Sequence, residues 1–191
     1  MVRTLDLFCG GGGSSYGARK AGATILCGVD IWPLATATYQ ENFPEAQIVT
    51  GDLERISPRR LRDRIGDIDL LLASPECRNH TCAKGAAKRS EESRATAMQA
   101  LRFAREFRPR WLILENVVHM RPWSRYGELK DSLMDLGYQL DEFVLDASDF
   151  GVPQKRKRLF IVCDNEKEVR SIKASWRRKS GAASTAITHR S

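Results

Sequence analysis

The 191-residue sequence has no run of about 18 apolar residues, the length a membrane span needs. Its first residues, MVRTLDLFCGGGG, lack the apolar core and small-residue cleavage site of a secretory leader, so a cytoplasmic protein is expected. It also has no C-x-x-C pair. The five cysteines, Cys9, Cys27, Cys77, Cys82 and Cys163, are odd in number and widely spaced, which argues against a disulfide framework and against the ordinary zinc motifs. The grouping of Cys77, His80, Cys82 and His119 is irregular, and no metal is expected. Each cysteine is then either a small buried apolar residue or a nucleophile. The G-x-G-x-x-G spacing of dinucleotide binders is missing too, and there are no internal repeats.

What the chain does have is positive charge and a regular alternation of elements. Lys and Arg number 31 against 24 Asp and Glu, a formal net charge of +7, with clusters at 154–158 and 177–179. Such a balance fits a polyanionic partner, through counterion release, and equally a solvated surface. Short apolar runs at residues 4–9, 24–30, 47–50, 69–73, 110–114, 140–145 and 159–163 read as strands. Between them, residues 14–21, 33–42, 58–64, 93–107 and 126–136 read as helices, and 78–92 as a polar loop. Strand-helix alternation on this scale predicts an α/β fold, a mostly parallel sheet with helices on both faces, in one domain over residues 1–164. Residues 165–191 read as a short helix and a disordered basic tail.

Open parallel sheets bind ligands at the carboxyl ends of their strands. The first such end is DLFCGGGGSS, where four consecutive glycines (Gly10 to Gly13) between strand and helix let a ligand approach the backbone closely. The second ends at Asp30, about 20 residues on, where an acid commonly grips ribose hydroxyls; Ile31 and Trp32 follow and suit a purine face. The third leads to Asp52, which suits an adenine amino group. Each acid alone is as readily a cap or turn residue.

The fourth and fifth ends carry different chemistry. DLLLASPECRNHT places Cys77 just past a buried strand, beside Arg78 and His80, whose charge favours thiolate. WLILENV ends in Glu115 and Asn116, and a carboxylate after four apolar residues must be solvated, paired or functional. A thiol and an acid at neighbouring strand ends make a candidate site.

DLFCGGGGSS, Pro75 and Cys77, ENV (115–117) and GVPQKRKR (151–158), in this order and spacing, resemble the bacterial cytosine-5 DNA methyltransferases over residues 4 to about 164. The resemblance implies a Rossmann-like class I methyltransferase fold with S-adenosylmethionine as cofactor. It implies double-stranded DNA as partner, with the target cytosine flipped out of the helix. In that reading Cys77 adds to carbon 6 of cytosine and Glu115 holds and protonates nitrogen 3. Arg158 contacts the base, and Asn116 supports the loop. Phe8, Gly10, Gly12, Asp30, Ile31, Asp52 and Pro75 hold the cofactor. Arg78, Lys84, Lys88, Arg89, Gln154 and Arg156 face nucleic acid.

Two departures stand out. The family's Pro-Cys-Gln is here Glu76-Cys77-Arg78, which sets a second carboxylate beside the thiol and raises its pKa unless Arg78 or DNA offsets it. About 27 residues follow position 164, too few for a target-reading domain. The expectation is therefore weak DNA binding without sequence preference, with the missing region supplied by a second polypeptide or lost from a remnant that still holds cofactor. A related enzyme type methylates cytosine in RNA with the same core motifs and stands as an alternative.

Overall fold

The computed structural model of the chain describes residues 1–75 and 91–166, and the side chains of all of these but 91–95. LLLA and WLILEN, two runs with hardly a polar residue, become β4 (Leu70–Ala73) and β5 (Trp111–Asn116) at the middle of a seven-stranded sheet. One face of these strands is packed under helices and the other forms the floor of an apolar cavity, so neither run alternates with polar residues. β1 (Val2–Leu7), β2 (Ala23–Asp30) and β3 (Gln47–Thr50) extend the sheet on one side. β6 (Gln139–Asp146) and β7 (Lys157–Asp164) extend it on the other, giving the order β3-β2-β1-β4-β5-β7-β6. β1 to β5 pair in parallel; β7 runs antiparallel to both β5 and β6.

α1 (Gly13–Lys20) and α2 (Pro33–Asn42) pack on one face of β1, β2 and β3. α4 (Glu91–Phe107) and α5 (Tyr126–Asp135) pack on the other, with α3 (Pro58–Ile65) against α4. The main core lies on the α4–α5 side, where Leu5, Leu7, Leu71, Leu112, Leu114 and Ile161 meet Phe103, Ala104, Leu129 and Leu133, all buried. A smaller cluster, Cys9, Ile25, Tyr39, Phe43 and Ala46, sits under α1 and α2. Cys9, Cys27 and Cys163 are free and buried, the packing role expected of the first two.

The expected elements are present with shifted ends. β1 stops at Leu7 rather than at 9 because Phe8 turns to φ 57°, and β5 runs on through Glu115 and Asn116. Two short 3₁₀ turns, Val118–Met120 and Ala147–Phe150, have no counterpart in the sequence pattern. Trp111, which opens β5, is only half-buried; its indole N–H donates to Asp164 (3.0 Å) and Arg110 lies 4.3 Å over its ring. Of the expected tail, Asn165 and Glu166 are tied to the sheet through the Arg110 carbonyl (3.1 Å) and guanidinium (2.7 Å), and the rest lies outside the described residues. Among the described residues no helix is long and apolar enough to cross a membrane.

Candidate active site and cofactor pocket

β1 ends in a turn that only glycine builds easily. Gly10 and Gly12 take φ values of 51° and 98°, and a Cβ on Gly10 would meet open space, so that position faces outward from the backbone. The Gly10 N–H donates to Asp30 Oδ2 (2.9 Å), and the Trp32 N–H donates to Asp30 Oδ1 (2.9 Å). The carboxylate at the end of β2 thus joins the glycine turn to the first residues before α2. Carboxylate oxygens accept more than one bond each, so Asp30 keeps acceptor capacity toward a ligand.

Four cavities lie around this turn and the strand ends beside it, and three of them gather the residues expected at the site. One of about 640 Å³ is lined by Gly10, Gly11, Asp30, Ile31, Trp32 and Leu34. Ile31 and Trp32 are each 60% exposed there, an uncommon state for large apolar side chains at a strand end. A smaller one, about 270 Å³, is lined by Phe8, Asp30, Ile31, Asp52, Ser74 and Gln99. Asp52 reaches it while also accepting the Glu54 N–H (2.9 Å) and facing Arg55 (3.8 Å), so its turn-forming role and its place at the cavity coexist. The largest, about 860 Å³, brings Phe8, Gly10, Gly11 and Ser14 together with Ser74, Glu115 and Arg156. Its floor is the sheet face that carries Leu72, Ile113, Phe160 and Val162.

Glu115 sits near the end of β5 with its side chain 25% exposed and its Oε1 3.0 Å from Arg158 Nε. In the register, Glu115 opposes Phe160, which puts Arg158 on its diagonal and on the same face. Burial pushes the Glu115 carboxyl above the usual glutamate range, and Arg158 and Arg156 pull it back the other way. Asn116, buried, donates from Nδ2 to the Pro75 carbonyl (3.3 Å) and accepts the Val117 N–H at Oδ1 (2.8 Å). It therefore fixes the main chain where β4 gives way to the segment that carries Cys77. The Ser14 and Ser74 hydroxyls lie 3.2 Å apart and tie that same exit to the start of α1.

Most residues expected at the site converge there, and a few do not. Phe8, Gly10, Asp30, Ile31, Asp52, Glu115 and Arg156 line the three cavities, with Pro75, Asn116 and Arg158 directly behind them. Gly12 lines the fourth cavity, about 280 Å³, with Gly11, Gly13, Tyr16, Asn42 and Phe43; a Cβ there would stand 2.3 Å from Phe43 Cε2, so its lack of side chain also makes room for packing. Gln154 is exposed in the turn before β7, its N–H donating to the Val152 carbonyl (2.7 Å). Cys77, Arg78, Lys84, Lys88 and Arg89 lie outside the described residues, as do Glu76, His80 and Cys82. Cys9 borders the largest cavity, but burial and the nearby Asp6 and Asp30 carboxylates push its thiol far up, so it is no thiolate. Sequence reading missed Ser14 and Ser74, two ordinary serines that meet because β1 and β4 end side by side in the sheet.

A sequence profile described as C-5 cytosine-specific DNA methylase matches residues 2–189. The type II methyltransferase M.AgeI of Thalassovita gelatinovora is 35% identical over 167 residues, 84% of this chain and 39% of that protein. The type II methyltransferase M.HgiDI of Herpetosiphon aurantiacus is 36% identical over 164 residues, 84% of this chain and 52% of that protein. The chain thus spans about two-fifths to one-half the length of these two relatives. Among solved structures, a DNA modification methyltransferase encoded within an Escherichia coli prophage superposes with a TM-score of 0.74 at 25% identity, over 91% of this chain and 48% of that one. The chain belongs to the C-5 cytosine-specific DNA methylase family.

Proposed function

We propose that residues 1–164 form the cofactor-binding and catalytic region of an S-adenosylmethionine-dependent DNA (cytosine-5) methyltransferase. The observation that carries this reading is the shared cavity. The glycine turn and a partly buried carboxyl with raised proton affinity line one space of about 860 Å³, and the Pro75 exit leading to Cys77 is pinned by Asn116.

The residues present suit the cofactor. An open glycine turn accommodates a close approach of the backbone to its amino-acid portion, Asp30 suits ribose hydroxyls, and exposed Ile31 and Trp32 suit the adenine face, with Asp52 as acceptor for its amino group. When bound, S-adenosylmethionine supplies an electrophilic methyl group. The chain's own part is to make the pyrimidine nucleophilic. In this reading the Cys77 sulfur forms a bond to ring carbon 6 while Glu115 gives its proton to ring nitrogen 3, which leaves an enamine with electron density at carbon 5. After carbon 5 is methylated, water takes its proton, the electron pair left behind forms the carbon 5–carbon 6 double bond as the carbon–sulfur bond breaks to release the Cys77 thiolate, and the proton on nitrogen 3 returns to Glu115. A carboxyl lifted by burial suits that acid role, and Arg158 steadies it when charged. Because the target base lies within a duplex, it is flipped out, with Arg78, Lys84, Lys88, Arg89, Gln154 and Arg156 toward the backbone.

Target recognition in this reading belongs to a second polypeptide segment. The sheet face under the largest cavity is apolar, and among the described residues no helix crosses it beyond α1. The decisive experiment mixes the chain, with and without a complementing C-terminal half from a relative, with S-adenosylmethionine and DNA bearing 5-fluorocytosine. A covalent adduct that disappears in Cys77→Ala is expected. Absence of any adduct, with the complementing half present, removes the catalytic assignment.

A further inference from the structure

A turn of four glycines has little that fixes its own shape. Gly12, the residue that opens α1, offers no side-chain cap, and each glycine has wide conformational freedom. Beyond the Gly10 bond to Asp30 and the Gly12 N–H bond to the Cys9 carbonyl (2.9 Å), the constraint comes from α2. Tyr39, Asn42 and the helix-terminating Phe43 share one face at i, i+3 and i+4, and all three address the turn. Asn42 Nδ2 donates to the Gly11 carbonyl (2.9 Å), and the Phe43 ring occupies the space that a Cβ on Gly12 would need. The Tyr39 ring fills the equivalent space above Gly28, where a Cβ would stand 2.5 Å from Cζ.

Packing alone asks only for a phenylalanine at position 39. The hydroxyl does something more: buried with the rest of its side chain, it lies 2.7 Å from Ser15 Oγ in α1, and Ser15 Oγ donates to Asp6 Oδ2 (2.7 Å) on β1. One buried polar chain thus links α2, α1 and β1 beneath the turn, and β2 lies against it through the pairing of Asp6 with Gly28. With the Ser15 proton given to Asp6, the Tyr39 hydroxyl is the donor to Ser15. α2 also follows directly on Asp30 and Trp32, so the same helix is joined to both halves of the cofactor pocket.

We propose that the Tyr39–Ser15–Asp6 chain is a positioning device that holds the glycine turn in its cofactor-binding shape, with Tyr39 its key residue. The proposal rests on the reading of the turn as an S-adenosylmethionine site. Pre-organisation raises affinity by removing the ordering that binding would otherwise require.

The test is calorimetric titration of the full chain with S-adenosylmethionine, for wild type, Tyr39→Phe, Ser15→Ala and the double variant. Loss of one neutral hydrogen bond's worth of pre-organisation weakens binding about threefold to tenfold. Expected is that weakening in each single variant, at unchanged stoichiometry, and no further loss when Tyr39→Phe is added to Ser15→Ala. A purely structural role predicts otherwise: unchanged affinity with a reduced binding-competent fraction, or losses that add in the double variant. Either result overturns the proposal. Wild type that does not bind S-adenosylmethionine at all defeats the cofactor-site reading itself, and the positioning proposal falls with it.

Discussion

Asp6 is a carboxylate with no cation beside it. It is completely buried, its Oδ2 accepts from Ser15, and among the described residues its Oδ1 has no hydrogen-bond partner. Burial raises its pKa from 3.8 to about 7, against the lowering effect of the Ser15 hydroxyl and amide, with Asp30 adding to the rise. A raised carboxyl pKa means the folded state binds the proton more tightly than the unfolded chain. Stability from this group is therefore greatest in acid and is lost as the pH climbs from the unfolded value to the folded one. Between pH 5 and pH 8 the loss amounts to roughly 2–3 kcal/mol, since a tenfold fall in proton activity is worth about 1.4 kcal/mol per proton and the slope flattens near pH 7. Asp6→Asn removes that slope. Its amide oxygen still accepts from Ser15, but its NH₂ inherits the unpartnered position at a cost of about 1–3 kcal/mol. The variant is therefore expected to be less stable than wild type at pH 5 and to gain on it steadily, matching or exceeding it by pH 8. Urea unfolding of both proteins at half-unit pH steps measures the difference directly, and other titrating groups cancel in it. Parallel curves from pH 5 to pH 8 would refute a protonated Asp6, whatever the absolute stabilities.

Further outcomes follow from the same geometry. Arg158→Ala removes the charge that holds Glu115 down, so its carboxyl titrates at still higher pH; carboxyl-carbon NMR of a glutamate-labelled sample reads the change, and an unmoved titration would mean the pair is not formed. Gly28→Ala forces a methyl against the Tyr39 ring and Cys9 Sγ, costing about 1–3 kcal/mol, and Tyr39→Ala in the same chain recovers part of that loss in a double-mutant cycle. Trp111→Phe deletes the bond to buried Asp164 and lowers stability by about 1.5–3 kcal/mol in denaturant unfolding, because the acceptor is a carboxylate. The isolated chain binds duplex DNA with a steep salt dependence and equal affinity for unrelated sequences; a strong preference in competition gel shifts would contradict the proposed need for a second segment.

Much of this is legible in the sequence because it is local. Apolar runs of four to six residues, a proline opening α2 and glycines closing turns place the elements to within a few residues. Asp30 and the glycine turn stand out because strand-end chemistry in a parallel sheet follows a general rule. Long-range effects are not legible. β5 runs through Glu115 and Asn116 because β7 pairs with them, and nothing within WLILENV announces that. Gly12 reads as a ligand residue in the sequence, and its second role, making room for the ring of Phe43 31 positions later, does not show there. Tyr39, Ser15 and Asp6 each look ordinary alone, and only the packing of two helices on two strands makes them a chain.

The reversal of β7 explains how the basic cluster reaches the site. Every parallel strand delivers its ligand-facing residues from its carboxyl end, as β1, β2, β4 and β5 do here with Gly10, Asp30, Pro75 and Glu115. The segment 154–158 leads into β7 and supplies its first two residues, so in a parallel strand it would emerge at the far edge of the sheet. β7 is 8 residues long, and at about 3.3 Å per residue that edge lies roughly 25 Å away. Running antiparallel, β7 instead begins at the carboxyl edge: Leu159 opposes Asn116, Phe160 opposes Glu115, and Arg158 closes on Glu115 at 3.0 Å. The preceding backbone is held there too, with the Arg156 N–H donating to Asp146 Oδ1 (2.9 Å) and the Ala147 N–H to the Arg156 carbonyl (3.1 Å). Strand direction, rather than any local motif, thus sets an arginine against the half-buried Glu115 carboxyl that the sheet presents to the cavity.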